Sequence, residues 1–140
     1  MRVFVLLIAL ATTLAAPALI APARAGDDIA AAQDVIRSQE QALGRDDAAA
    51  AYSYAAPEIH QLFPAPDVFL SMVQRGYAPV YRHKSFVFGE GGVSDGRIAQ
   101  HVHIVDTDGN PWEALYTLEP QPDGSLKIVG CVLIKAGQDV

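Results

Sequence analysis

The spacing of apolar positions changes period once along this chain. Ile29, Ala32, Val35, Ile36, Gln39, Ala42 and Leu43 recur three and four residues apart, which places them on one face of a helix closed by Gly44. Asp27 and Asp28 stand ahead of that face, where carboxylates meet the positive end of a helix dipole. A second, alanine-rich helix is expected to be capped by Asp46 or Asp47, to run through Tyr54, and to end before Pro57, which disfavours helical backbone in the residue ahead of it. Glu58 to Phe63 adds an extra turn with Ile59, Leu62 and Phe63 turned inward. Pro66 suits the first turn of a third helix, with Val68, Phe69, Met72 and Val73 as its apolar stripe and Gly76 at its end.

From Val80 the period is two, in Val80-Tyr81, Phe86-Val87-Phe88 and Ile98 to Val105. Glu90-Gly91-Gly92 and Ser94-Asp95-Gly96 read as turns. Helices followed by strands give an α+β fold: three N-terminal helices packed on a curved antiparallel sheet. Two later turns, Asp106-Thr107-Asp108-Gly109-Asn110 and Gln121-Pro122-Asp123-Gly124-Ser125, share one chemistry: two residues suited to a type I turn, then a glycine suited to the left-handed position. Each turn sets a register. The first pairs Ile104 with Trp112, Val102 with Ala114 and Ile98 with Leu118. The second pairs Leu118 with Ile128, Tyr116 with Gly130, Ala114 with Val132 and Trp112 with Ile134.

The inner face predicted by these registers is apolar apart from Gln100, the Trp112 indole and the Tyr116 hydroxyl. Tyr116 is expected over Gly130, and Glu119 opposite Lys127 on the outer face. Leu115, Val129, Cys131 and Leu133 then fall on the outer face, too apolar a set for a surface meant for water. A homodimer through that face, or its coverage by another segment, is the expectation.

Composition narrows the class. The first 25 residues hold Arg2, an apolar run from Val3 to Ala16, and Ala23-Arg24-Ala25, the layout of a secretory signal peptide cleaved before Gly26. One domain, 26–140, is expected to follow, exported to the periplasm or the extracellular space. The whole chain carries 10 basic and 16 acidic residues; without Arg2 and Arg24 the exported part holds 8 and 16, a net charge of −8. An acidic chain without a basic stripe argues against nucleic acid and anionic membrane as partners. The single cysteine, Cys131, leaves no internal disulfide framework, and no neighbouring signature lowers its pKa.

Candidate chemistry is sparse. A general base could come from Glu40, Asp46, Asp47, Glu58 or His60, and His60, between Ile59 and Leu62, is the best single candidate. Tyr52, Gln100, Trp112 and Tyr116 are the expected pocket-lining residues. His101 and His103 point the same way on one strand, with Glu113 opposite His103, a spacing that could make a three-ligand zinc site. The preferred reading of this group is a solvated patch with one histidine–glutamate contact, so neither metal nor cofactor is expected.

The order of elements resembles the nuclear transport factor 2-like cone fold, the cystatin-like class that includes ketosteroid isomerase and polyketide cyclase-like proteins. More narrowly, Val35-Ile36, Gln39, Ala42, Asp46-Asp47, Ala56-Pro57, Ile59, Phe63, Met72-Val73, Gly76-Tyr77, Pro79-Val80, Trp112-x-Ala114-x-Tyr116-x-Leu118, Gln121-x-Asp123-Gly124-Ser125 and Gly130-Cys131 resemble a bacterial family of small exported proteins of unknown function. The resemblance implies helices packed on one sheet face around a conical pocket. It implies no activity. The expected function is non-catalytic binding of a small apolar ligand or a protein partner in that pocket. The alternatives are a hydrolase, isomerase or cyclase using His60 or a helix carboxylate, and a structural module with a filled pocket.

Overall fold

The computed structural model describes residues 21–137; the signal segment expected over residues 1–25 lies mostly outside them. Five helices precede one four-stranded antiparallel sheet among the described residues, so the α+β order stands with two more short helices than expected. They are α1 (Ala21–Gly44), α2 (Ala48–Ser53), α3 (Pro57–Leu62), α4 (Pro66–Gly76) and α5 (Ala78–Tyr81). The strands β1 (His83–Ser94), β2 (Arg97–Asp106), β3 (Pro111–Pro120) and β4 (Leu126–Lys135) lie side by side in chain order.

The first helix buries the stripe read from its spacing: Ala32, Ile36, Gln39, Ala42 and Leu43 are all enclosed. It packs across β1, β2 and β4 and makes the floor of the helical layer. Each fully enclosed Ile or Leu contributes about 1.5–3 kcal/mol by leaving water. Asp27 and Asp28 lie inside α1 instead of at its start, since the helix begins at Ala21. Asp47 caps α2 by accepting from the Ala50 N–H at 3.0 Å. Asp46 adopts a left-handed backbone (φ 57°), with its carboxylate held by the Tyr81 hydroxyl and by Arg82 at 3.2 Å. The bond from Tyr81 lowers the Asp46 pKa, and Arg82 adds to the effect.

Three local readings are corrected. Val80-Tyr81 is helical, because Pro79 opens the turn of α5 and the Val80 and Tyr81 N–H groups return to the Tyr77 carbonyl. Glu90-Gly91-Gly92 is no turn but the middle of β1. Leu62, expected inward, is 73% exposed at the open edge of the space between helices and sheet, and Val68 is also exposed.

Both glycine turns close as read: the Gly109 N–H donates to Asp106 O and the Gly124 N–H to Gln121 O, with both glycines at φ 86°. The β2–β3 register is the one the first turn sets, including Ile104 with Trp112, His103 with Glu113 and Ile98 with Leu118. The β3–β4 register begins as read and then slips. Leu118 faces Ile128 and Thr117 faces Gly130, so Val129 is one residue too many on β4. Beyond this bulge every partner shifts by one: Tyr116 faces Cys131, Ala114 faces Leu133 and Trp112 faces Lys135.

One extra residue in a period of two exchanges the faces of everything after it. Cys131 and Leu133, expected outside, pack against the core, while Val132 and Ile134, expected inside, are 56% and 59% exposed. The outer patch expected from Leu115, Val129, Cys131 and Leu133 therefore keeps Leu115 but loses Cys131 and Leu133, and Val129 sits at the bulge.

Contacts from the helical layer hold the bulge. The Ala56 N–H donates to Ile128 O at 2.8 Å and the Ile128 N–H to Tyr54 O at 2.9 Å, a parallel bridge that pairs the edge of β4 just before the extra residue. The Tyr77 hydroxyl donates to Cys131 O at 2.9 Å just after it. A second irregularity in β1, between Phe88 and Gly91, is held by Gln100, whose Nε2 donates to Gly89 O and Glu90 O at 3.0 and 3.3 Å.

Candidate functional site

Between the helical layer and the β3–β4 half of the sheet lies a cavity of about 360 Å³. Leu43 of α1, Ile59 and Leu62 of α3, Phe63, and Phe69, Met72 and Val73 of α4 form its helical wall; Tyr77 and Val80 close one side. The sheet contributes Tyr116 and the bulged stretch from Ile128 to Cys131. The bulge thus builds the cavity wall. It brings Val129, Gly130 and Cys131 together there, where a regular strand would alternate its side chains across the sheet.

The polar atoms in this wall are few, and burial keeps them neutral. Cys131 is pushed up to about 12 by burial, against a smaller downward pull from the Tyr116 hydroxyl nearby. Burial also raises Tyr116 well above the usual tyrosine range, and the nearby Cys131 and Glu40 raise it further. Tyr77 rises for the same first reason. A thiol held this far from ionisation is a weak nucleophile at neutral pH. Gln39 of α1 supplies the remaining polar group; its Nε2 donates to Ala51 O at 3.2 Å.

Of the four residues expected to line the pocket, Tyr116 does. Tyr52 lies outside the lining, with its hydroxyl bonded to Phe63 O at 2.7 Å. Gln100 is fully buried but belongs to the β1 bulge, and its Oε1 accepts from Gln33 at 3.3 Å. The Trp112 indole reaches back to Asp106 Oδ2 at 2.9 Å, at the far end of the sheet; that bond is the first cause of a lowered Asp106 pKa. Gln100 and Trp112 sit on the inner face as the register predicts, yet each, like Tyr52 of α2, is satisfied by backbone or another side chain.

The candidate bases are also placed away from the cavity lining. His60 stacks on Tyr52 with ring centroids 3.8 Å apart, and its Nε2 lies 2.8 Å from Tyr52 O, so that nitrogen serves as a donor to the backbone. Glu58 is exposed, and Asp46 and Asp47 are engaged as described. Glu40 accepts from His83 Nε2 at 2.8 Å and from Arg37, whose guanidinium lies over Phe86 and Phe88. His83 Nδ1 meets Pro79 O at 2.9 Å, so both ring nitrogens are occupied.

On the outer sheet face, His101 Nδ1 lies 2.7 Å from Glu113 Oε1, while His103 is exposed beside Gly89. Among the described residues no three histidine, cysteine or carboxylate side chains gather closely enough to hold a metal ion. Glu119 pairs with Arg97, and Lys127 with Ser53 O, although the two face each other as read.

Gln39, Tyr77 and Cys131 are the site residues that sequence reasoning missed. Gln39 was visible as the one polar member of an otherwise apolar helical stripe. Nothing in the local sequence marks the bulge that turns Cys131 inward.

Among the described residues no helix is long and apolar enough to cross a membrane. Residues 25–139 match the model of a family described as "Domain of unknown function (DUF4864)", and the chain belongs to that family. No curated protein and no solved structure matches it.

Proposed function

We propose that this protein is a non-catalytic binding module of the nuclear transport factor 2-like cone type, which takes a small apolar molecule into the cavity between its helices and its sheet. One observation carries the reading: a cavity of about 360 Å³ is walled by aliphatic and aromatic side chains, with no charged residue among the described residues of its lining. Ligand pockets of this kind are mostly apolar with a few placed polar groups, and their size range begins near ~300 Å³. General acid–base catalysis needs a titrating group within hydrogen-bond reach of the bound molecule, and Glu40, Glu58 and His60 all stand outside the lining.

The test is saturable binding of the neutral fluorophore N-phenyl-1-naphthylamine to the purified protein. A fluorescence rise that saturates, and that Ile59→Trp abolishes by filling the cavity, supports the reading. No saturable rise overturns it.

Export completes the proposal. The charged start, apolar run and Ala23-Arg24-Ala25 end support it, and the family match begins at residue 25, where that segment ends. Amino-terminal sequencing of the protein recovered from a bacterial periplasmic fraction should begin at Gly26; an intact Met1 on all recovered protein would count against cleavage.

A further inference from the structure

Gln39 is 94% enclosed and lines the cavity. The atom facing Ala51 O must be the nitrogen, because two oxygens would repel, so the amide orientation follows from its surroundings. That leaves Oε1, which receives a hydrogen bond from no side chain or backbone group among the described residues. Every fully enclosed side-chain nitrogen or oxygen among those residues has a partner, so an unpartnered Oε1 must retain open surface, and the cavity supplies it.

The Tyr77 hydroxyl in the same wall donates to Cys131 O. The Gln39 carbonyl oxygen is an acceptor without a partner among the described residues, set among apolar groups and beside the second N–H of its own amide.

We infer that the ligand of this cavity is an uncharged apolar molecule bearing one hydrogen-bond donor, a hydroxyl or amide N–H, which meets Gln39 Oε1. This rests on the binding reading above and narrows it to a chemical class. An anion such as a fatty-acid carboxylate is disfavoured, since it would lose its water facing a carbonyl oxygen with no cation among the described residues of the lining. A hydrocarbon of the same size would fit but leave the carbonyl without a partner, and an enclosed polar atom left unpaired weakens binding.

Three probes of one shape separate these cases: 2-naphthol, 2-methylnaphthalene and 2-naphthoate, each displacing N-phenyl-1-naphthylamine from the full protein at neutral pH. The expected result is 2-naphthol binding about five- to tenfold tighter than 2-methylnaphthalene, the range of one neutral hydrogen bond, with 2-naphthoate weakest. Gln39→Met should erase the advantage of 2-naphthol over 2-methylnaphthalene, read as the ratio of their two affinities in the same variant. Equal affinity for the first two, tightest binding of 2-naphthoate, or an advantage that survives Gln39→Met would each overturn the inference and leave the binding reading intact. If neither the fluorophore nor any of the three binds, both fall. Should Gln39→Met fail to fold, the ranking on the unaltered protein decides alone.

Discussion

Tyr116 lies opposite Cys131 across β3 and β4, one position beyond the Gly130 that the hairpin turn assigns to it. That single displacement brings a thiol and a phenol together in the cavity wall and turns Val132 and Ile134 to the solvent.

The face exchange is open to mutation. Leu133→Ala should cost about 2–3 kcal/mol, as a partly enclosed leucine that leaves a gap, whereas Val132→Ala should stay within about 0.5 kcal/mol. Deleting Val129 removes only the extra residue and keeps Tyr116 opposite Cys131 and Ala114 opposite Leu133, so both side chains should stay inward and the cost should be smaller than that of Leu133→Ala. Urea unfolding of the three variants checks this; a larger loss for Val132→Ala than for Leu133→Ala would put the bulge in doubt.

Cys131 makes the fold sensitive to alkali. Its folded pKa of about 12 lies above the ordinary 9.0, so the folded state holds the proton more tightly than the unfolded chain does. The stabilisation is complete below pH 9 and is lost between there and about 12, at a limiting slope of ~1.4 kcal/mol per pH unit for one group. Tyr116 and Tyr77, also raised, act in the same direction. Thiol-reactive dye should label the native protein slowly at pH 8 and quickly after denaturant is added. Rapid native labelling contradicts the enclosure. At the acid end, Asp46, Asp106 and Asp123 have lowered pKa values, so their contributions hold above the ordinary 3.8 and fade as pH falls below it.

Two glycines of β1 should respond differently to the same change. A Cβ on Gly91 would stand 2.6 Å from Gln100 Oε1, and one on Gly89 would stand 2.6 Å from His103 Nε2. Gln100 is fully buried and held by its bonds to Gly89, Glu90 and Gln33, so it cannot retreat without breaking them. His103 is exposed and can rotate away. Gly91→Ala should therefore lose about 2 kcal/mol or more and Gly89→Ala less than about 1, measured by thermal unfolding. Equal losses would mean that Gln100 is not fixed.

His60→Ala tests a structural role. It removes the stack on Tyr52 and the bond to Tyr52 O, a loss of about 1–2 kcal/mol of stability. Probe binding in the cavity should change less than twofold. A large loss of binding with stability intact would return His60 to the site.

Much of the fold was legible because its causes are local. The three-and-four spacing from Ile29 to Leu43 defines a buried helix face, and Asp106 to Asn110 encodes a hairpin whose register follows from its loop length. The α+β order and the polar inner-face positions of Gln100, Trp112 and Tyr116 follow from those patterns. The short helix α5 and the continuity of β1 through Gly91 were less visible, because proline and glycine admit more than one reading until neighbours choose.

The candidate site depended on structure distant in the chain. Residues 54–56 and Tyr77 bond to β4 on either side of Val129 and hold an extra residue that no alternation pattern records. The sequence by itself determined most helices and strands, Val80-Tyr81 and Glu90 to Gly92 apart, and which hairpins join, since spacing and turn chemistry act over a few residues. Only the tertiary structure decided that Cys131 faces inward, that Gln39 keeps a free carbonyl, and that His60 and Glu40 are occupied elsewhere. Those outcomes rest on hydrogen bonds between residues brought together by folding.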